Sequence, residues 1–255
     1  MSVQQATAVR TLETERPEDV REAAEALASG QAVAHGFGHG RALTFRPDRD
    51  VLARVNRGRG RPADRPASLT TVPEHVPAAF DWTRLPDDVP RQQLRALIDE
   101  LLALGPLGLR GPAADRVPAH LTTTDGGLAT ARVAAPGTRC PSHAFLGAAL
   151  GLTGGTFLAT TSVPGPGEEP AEPAIRILAH AAEEAARRHP FHRPAPVSVL
   201  SFHRTAGHTR SGLPVLVLER HGSLSADHIR AVAATHGFGL APAARPLVPR
   251  AYDPA

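Results

Sequence analysis

The stretch RDVLARVNRGRGRPADRPASLTTV, residues 49–72, decides how the chain folds around its most basic segment. Its first part predicts a short helix, and ASLTTV at 67–72 predicts a strand because it is rich in β-branched residues. An arginine cluster lies between these two elements. A disordered tail that binds nucleic acid does not normally lie between core elements, so this position favours the ordered edge of a pocket. A solvated basic loop is the alternative.

Two arginines of this cluster, Arg59 and Arg61, are the strongest candidates for a binding role. They are two residues apart, and an extended segment would direct both side chains the same way. Paired guanidinium groups suit polyphosphate oxygens because each can donate two parallel hydrogen bonds. Pro62 and Pro66 stiffen the backbone that follows. We therefore predict that Arg59 and Arg61 bind phosphate groups and neutralise their charge.

The composition indicates a folded protein whose basic chemistry rests on arginine. Of the 255 residues, 42% are hydrophobic and 21% are charged, which is typical of a globular domain. All 28 basic side chains are arginine, so we expect arginine where other proteins use lysine. The net charge of +3 is too small to indicate nucleic-acid binding by itself. Cys140 is the one cysteine, which excludes an internal disulfide.

No apolar run in the sequence approaches the roughly 20 residues that span a membrane. The first residues include acidic side chains and no long apolar segment, unlike a secretory signal. We expect a cytoplasmic protein that makes no membrane contact. The sequence leaves the oligomeric state open.

Helical and strand patterns alternate along the chain without a linker or an internal repeat, which predicts one α/β domain with a mixed sheet. The clearest helical period lies at 87–105, where leucines recur on one face. Ser225 predicts the N-cap of a late helix. Further helices are predicted at 15–30, 142–154 and 174–189, and strands at 31–35, 41–45, 107–111, 127–135, 156–162, 197–202 and 214–219.

Several polar groups lie where predicted strands or helices end. Thr161 and Ser162 end a buried strand, and α/β sheets bind ligands beyond their strand ends. Arg139 and His143 precede or begin a helix, where an anion could also meet the helix N-terminus. The glycine-rich turn GFGHG at 36–40 fails the dinucleotide fingerprint because a strand follows it. His35 and His39, which lie just before and within this turn, lack carboxylate or cysteine companions, so we expect no metal site.

Taken in order, these pieces resemble the threonylcarbamoyl-AMP synthase family and its YrdC-like fold. The resemblance runs from about residue 18 to residue 235 and implies a single YrdC-like domain over 1–255. Its fold would be a twisted mixed parallel and antiparallel sheet, with helices packed around a concave basic face. The matching segments are ALASGQAVAHGFGHGRAL (26–43), RGRPADRPASL (59–69), TRCPSHAFLGAAL (138–150), GGTFLATTSVPGPG (154–167) and PVLVLERHGSLSADHIRAV (214–232).

The resemblance implies an ATP-dependent reaction, with Mg²⁺ and bicarbonate, that makes a carbamoyl-type adenylate and pyrophosphate. Arg59 takes the place of the lysine in the family's K-x-R motif, and Arg61 keeps the arginine. The motifs further imply that Ser162 and Arg220 contact the nucleotide and that Arg139 and His143 contact the second substrate. By position we add Thr161, beside Ser162, to the nucleotide contacts and His39, in the turn, to the second-substrate contacts. His39 and His143 are candidates for proton transfer by side-chain type alone.

The departures from the family's motifs lie mainly in the part that would recognise threonine. The P-T-D-T turn has become Gly36–His39, so its hydroxyl and carboxylate groups are absent. The asparagine of S-x-N has become Pro164, which has no side-chain amide and no backbone N–H. Each lost hydrogen bond is worth about 0.5–1.5 kcal/mol. We therefore expect an acceptor other than threonine.

Three functions remain open at this point. The first is an adenylate-forming transferase with another small-molecule acceptor. The second is a catalytically degenerate module that binds a nucleotide or RNA. The third is the family's standard synthesis of threonylcarbamoyl-AMP for tRNA modification. The low aromatic content, 4%, argues against base stacking with single strands.

Overall fold

The computed structural model describes residues 10–37, 40–162, 175–178 and 195–242. Within these ranges the helices are α1 (Pro17–Ala28), α2 (Arg49–Gly58), α3 (Arg91–Leu104), α4 (Ser142–Thr153) and α5 (Ala226–Thr235), with 3₁₀ turns at Pro73–Ala79, Trp82–Arg84 and Ala119–Leu121. The strands are β1 (Arg10–Glu13), β2 (Val33–Phe37), β3 (Gly40–Phe45), β4 (Ser68–Thr70), β5 (Leu107–Pro112), β6 (Thr122–Asp125), β7 (Leu128–Ala135), β8 (Leu158–Ser162), β9 (Ile175–Leu178), β10 (Val199–Ser201), β11 (Val215–Arg220) and β12 (Gly239–Pro242).

These strands form one mixed sheet in the order β1-β9-β2-β3-β8-β4-β7-β5-β10-β11-β12, with β6 paired to β7. The sheet contains both parallel pairs, such as β4 with β7, and antiparallel pairs, such as β3 with β8. The predicted α/β class with a mixed sheet is confirmed. None of the described helices is long and apolar enough to cross a membrane.

Helices pack on both faces of the sheet, and strand β8 shows how the sequence achieves this. Its successive side chains alternate between the faces. Leu158 packs in the cluster that contains Phe145 of α4 and Leu27 of α1. Ala159 packs in the larger cluster that α2, α3 and α5 cover. The strand therefore lies in the middle of the core, and its last residues lie where the strand ends.

Local signals explain where several helices begin and which face they bury. Pro17 stands at the first position of α1, where its missing N–H is not needed. The Ser225 side chain accepts a hydrogen bond from the His228 N–H and caps α5, as predicted. Helix α3 buries the leucines of the 87–105 pattern, from Leu94 to Leu102, against the sheet.

The helix predicted at 174–189 is wrong at its start, because residues 175–178 form strand β9. This segment pairs in parallel with both β1 and β2. Two neighbouring strands supply more interactions than the helical period of an isolated segment, so tertiary pairing overrides that pattern. Residues 179–189 lie outside the described residues. The short strands β1, β6 and β12 were not predicted.

A buried column of polar side chains joins three strands and α4. His35 of β2 is fully buried, with Nε2 2.8 Å from the Thr44 Oγ1 and Nδ1 3.0 Å from the Ser142 Oγ. The Thr44 hydroxyl donates to the Thr160 Oγ1 at 3.1 Å. Nδ1 also lies 3.0 Å from the Gly36 carbonyl oxygen. These partners are hydroxyl and carbonyl groups, so none of them offers a negative charge to an imidazolium.

Burial lowers the pKa of His35 from 6.5 to about 4, although the hydrogen bond to Gly36 opposes the shift. The unfolded chain therefore takes up a proton near pH 6.5, whereas the folded chain does so only near pH 4. The contribution of the neutral, buried His35 to the stability of the fold is fully present above pH 6.5, and it is lost as the pH is lowered through this window. We expect His35 to account for a loss of about 2 kcal/mol in the free energy of unfolding between pH 7 and pH 5.

Urea unfolding at a series of pH values measures this loss. The matched variant His35→Gln has no group that titrates there, and its stability should vary with pH by about 2 kcal/mol less than the parent over the same interval. Equal pH dependence of the two proteins would contradict the assignment.

Candidate phosphate-binding site

The arginine segment is the C-terminal cap of α2. The Arg61 N–H donates to the Asn56 carbonyl at 2.9 Å, and the Gly60 N–H donates to the Arg57 carbonyl at 3.0 Å. This pair of bonds is a Schellman motif, which requires a left-handed residue one place before its end. Gly60 supplies that conformation with φ of 61°. The expectation of an extended segment is therefore wrong, because a helix cap fixes how Arg59 and Arg61 are presented.

Asn56 holds the loop that follows this cap. It is buried, and its side-chain amide donates to the carbonyls of Ala63 at 3.1 Å and Arg65 at 2.8 Å. Its own carbonyl also accepts from the Arg59 N–H at 3.0 Å. One residue thus ties the last turn of α2 to the chain that leads into β4.

The two arginines meet the end of β8. Arg59 Nη1 donates to the Thr161 Oγ1 at 2.7 Å, and Arg61 Nη1 donates to the same oxygen at 2.9 Å. Both arginines and Thr161 are half-buried, whereas Ser162 is exposed. The structure therefore brings together Arg59, Arg61, Thr161 and its neighbour Ser162, which are separated by up to 103 positions in the sequence.

This convergence creates a local concentration of hydrogen-bond donors and positive charge. Each guanidinium has five N–H donors, and the Thr161 hydroxyl takes one from each. An anion with several oxygens, such as a di- or triphosphate, fits such a pair of planar donors.

Two of the predicted second-substrate residues, Arg139 and His143, lie at the start of α4. Ser142 is its first residue, and the Ser142 hydroxyl donates to the Gly36 carbonyl of the glycine-rich turn. His143 follows, with Nε2 3.5 Å from the Glu74 Oε2. Arg139 is exposed in the loop that enters the helix. His39 lies outside the described residues.

Arg220 stands apart from the arginine pair. It ends β11, five places from β8 in the sheet, or about 24 Å along the sheet at the usual strand spacing. Its Nε donates to the Val197 carbonyl at 2.8 Å. Burial lowers the pKa of Arg220, and the nearby charge of Arg132 lowers it further. The structure does not bring Arg220 into the Arg59–Arg61 cluster.

A second charged group of side chains crosses the sheet near Arg220. Arg110 and Arg132 are directly opposite each other on β5 and β7, where like charges repel. Glu219, 2% exposed, lies between them, with one oxygen 2.9 Å from Arg110 and the other 3.3 Å from Arg132. Asp125 contacts Arg110 at 3.3 Å and His203 at 2.9 Å. The opposite charges in these ion pairs neutralise one another, and the contacts join neighbouring strands of the sheet.

Side chains that could bind a metal ion are not clustered in the described part of the chain. Across the described ranges, no group of three or more His, Cys, Asp and Glu side chains could hold a metal ion. Mg²⁺ is commonly held through substrate phosphates, waters and one or two carboxylates.

Solved structures show the same fold. P. abyssi Sua5 complexed with L-threonine is 20% identical, with a TM-score of 0.61 over 92% of this chain and 63% of that chain. The hypothetical protein smu.1377c from Streptococcus mutans is 11% identical, with a TM-score of 0.62 over 94% of this chain and 100% of that chain. This chain therefore spans less than two thirds of the P. abyssi protein.

No protein-family model and no curated protein sequence matches this chain. The likeness to Sua5 nonetheless confirms the predicted YrdC-like fold. At these identities it is a likeness of fold, and activity has to be argued from the site. The concave basic face stays a prediction.

Sequence reasoning missed two residues that shape the site. Asn56 looked like one more polar residue of a short helix, and only the cap geometry shows its role. His35 was considered solely as a metal ligand. The signal available was Gly60, four residues after Asn56, since glycine is the usual residue at the left-handed position of a helix cap, but the spacing alone does not assign it that role.

We predict that Asn56→Asp destabilises the arginine loop. The change keeps the size of the side chain and removes both N–H donors, so the Ala63 and Arg65 carbonyls would face a carboxylate. The free energy of unfolding should fall by about 1–3 kcal/mol, and amide hydrogen exchange should accelerate at residues 61–65. Arg57→Gln, an exposed change in the same turn, is the control. If Asn56→Asp had the same stability and hydrogen exchange as this control, the role assigned to the Asn56 amide would be wrong.

Proposed function

We propose that this protein binds a nucleotide through its phosphates at Arg59, Arg61 and Thr161, and uses ATP to form a carbamoyl or carboxyl adenylate. The observation that supports the proposal most directly is the convergence of two guanidinium groups on one hydroxyl at a strand end. Anion binding is the role for which such paired forks are best suited. Ser162, exposed beside Thr161, would add a neutral donor.

The reaction would proceed by displacement at the α-phosphorus of ATP. An oxygen of the carbamate or carboxylate forms a bond to that phosphorus, and the bond to the oxygen bridging the α- and β-phosphates breaks. Pyrophosphate leaves with the electron pair. Arg59 and Arg61 would stabilise the charge that develops on the leaving group, so positioning and electrostatics would supply the catalysis.

The acceptor side would lie toward Gly36 and the start of α4. His143 is the candidate for proton transfer there, because an imidazole can titrate near neutral pH and the Nε2 of His143, a buried atom, lies 3.5 Å from the Glu74 carboxylate. Arg139 could meet an acidic group of the acceptor. Gly36 has no side chain to recognise a hydroxyl, so we propose a small-molecule acceptor other than threonine.

A nucleotide-binding module without turnover is the second candidate. The loss of side-chain groups at Gly36 and Pro164 favours it, because binding charge is kept while recognition groups are absent. RNA is a possible partner in that case, through shape and backbone contacts rather than stacking. Release of pyrophosphate distinguishes the two candidates.

We predict weak, salt-dependent binding of ATP that requires the arginine pair. The double change Arg59→Ala and Arg61→Ala should abolish binding measured by calorimetry, because it removes both cationic donors. Affinity of the parent should lie in the micromolar-to-millimolar range and fall with added salt, since screening acts over about 8 Å at 0.15 M ionic strength.

The matched control is the double change Arg57→Ala and Arg65→Ala, which removes the same charge from two exposed positions, one in the last turn of α2 and one in the loop that follows it. It should lower affinity only slightly. If the two double variants bind ATP equally well, general charge attraction rather than a built site explains the binding.

We predict no threonylcarbamoyl-AMP from ATP, bicarbonate and L-threonine. A panel of other amino acids and alcohols should instead include an acceptor that releases pyrophosphate. The assay compares pyrophosphate and adenylate products with those of an intact threonylcarbamoyl-AMP synthase. Threonine product at a comparable rate would restore the standard function. ATP binding without pyrophosphate from any acceptor would support the module.

A further inference from the structure

The end of β8 is unequally supported by its two neighbours. On the β3 side its ladder continues to Ser162, which pairs with Ala42. On the β4 side its ladder ends at Thr160, which pairs with Ser68. Thr161 therefore lies one residue beyond the last residue of β8 that pairs with β4. Its position depends on β3 and on side-chain contacts.

Those side-chain contacts act from both faces of the sheet. The Thr161 hydroxyl receives Arg59 and Arg61 on one face. On the opposite face the Thr160 hydroxyl receives a hydrogen bond from Thr44, and its own proton goes to the Leu43 carbonyl at 3.3 Å. Consecutive residues of one strand end are thus fixed in opposite directions.

His35 completes the second of these supports. Its Nε2 lies 2.8 Å from the Thr44 Oγ1, and Phe145 packs against its ring with centroids 5.2 Å apart. Its Nδ1 lies 3.0 Å from the Gly36 carbonyl oxygen, at the start of the glycine-rich turn. One buried ring therefore contacts the acceptor side of the site directly and the phosphate side through two hydroxyls.

We infer that His35 is a positioning residue for anion binding: through Thr44 and Thr160 it fixes the strand end on which Arg59 and Arg61 converge. This inference rests on the proposed function in one respect, that the arginine pair binds phosphates. His35 touches neither the arginines nor the ligand. The effect of His35 on anion binding passes through the hydroxyls of Thr44 and Thr160. That effect should therefore be separable from the effect of His35 on the glycine-rich turn.

Two substitutions make that separation. The amide of asparagine reaches the place of Nδ1, so His35→Asn keeps a partner for Gly36 and Ser142 and loses Thr44. The longer glutamine reaches the place of Nε2, so His35→Gln keeps a partner for Thr44 and loses the turn. The probe is inorganic pyrophosphate, with its affinity measured by calorimetry. Unfolding temperatures report any general loss of stability.

His35→Asn should weaken pyrophosphate binding about 3- to 10-fold, the effect of one hydrogen bond. His35→Gln should bind within about twofold of the parent. Thr160→Val breaks the same chain further along, so it should match His35→Asn, and the double variant should be no weaker than either single variant. Equal losses in the Asn and Gln variants, in proportion to their unfolding temperatures, would overturn the inference.

A measurement on the free protein keeps this test independent of the proposed function. The Nε–Hε resonances of Arg59 and Arg61 report the environment of the cluster without a ligand. They should shift in His35→Asn and Thr160→Val and stay in place in His35→Gln. If the parent fails to bind pyrophosphate but these shifts occur, the phosphate proposal fails and the positioning role stands. Unchanged resonances in every variant would remove the positioning role as well.

Discussion

Two guanidinium groups that share one threonine hydroxyl are the constraint on which this site depends. Arg59 and Arg61 carry like charges, so bringing them onto Thr161 requires structure that holds both in place. The helix cap of α2 and the Asn56 amide supply that structure from one side. The end of β8 supplies it from the other. Such preorganisation lowers the entropic cost of ordering the donors when an anion binds.

The parts of this site that sequence predicts are those set by local chemistry. An arginine cluster between a helix and a strand, and threonine and serine at a strand end, identified Arg59, Arg61, Thr161 and Ser162 as partners of one surface. The helix cap was missed because Gly60 reveals its left-handed backbone only when the hydrogen bonds of Asn56 and Arg57 are known. The glycine was visible in the sequence, but its conformation was not.

The other features of the structure are set by strand pairing between distant parts of the chain, and the order of motifs along the sequence does not reveal that pairing. Arg220 looked equivalent to the other phosphate candidates in the motif order, yet five strand positions separate β11 from β8. Strand β9 was mistaken for a helix because its partners, β1 and β2, lie more than 130 residues away in the sequence. Glu219 likewise has a role only once Arg110 and Arg132 are opposite each other.

The two sides of the proposed site therefore have different physical origins. The phosphate side rests on short segments whose geometry is mostly local: a helix cap, one amide and a strand end. The acceptor side depends on where α4 and β2 meet, as the contacts of Ser142 with Gly36 show. Under the proposed function, a change of side chain in the turn would alter the choice of acceptor while the arginine cap stays intact. His35 links the two sides from within the core, because it contacts Gly36 directly and reaches Thr160 of the strand end through Thr44.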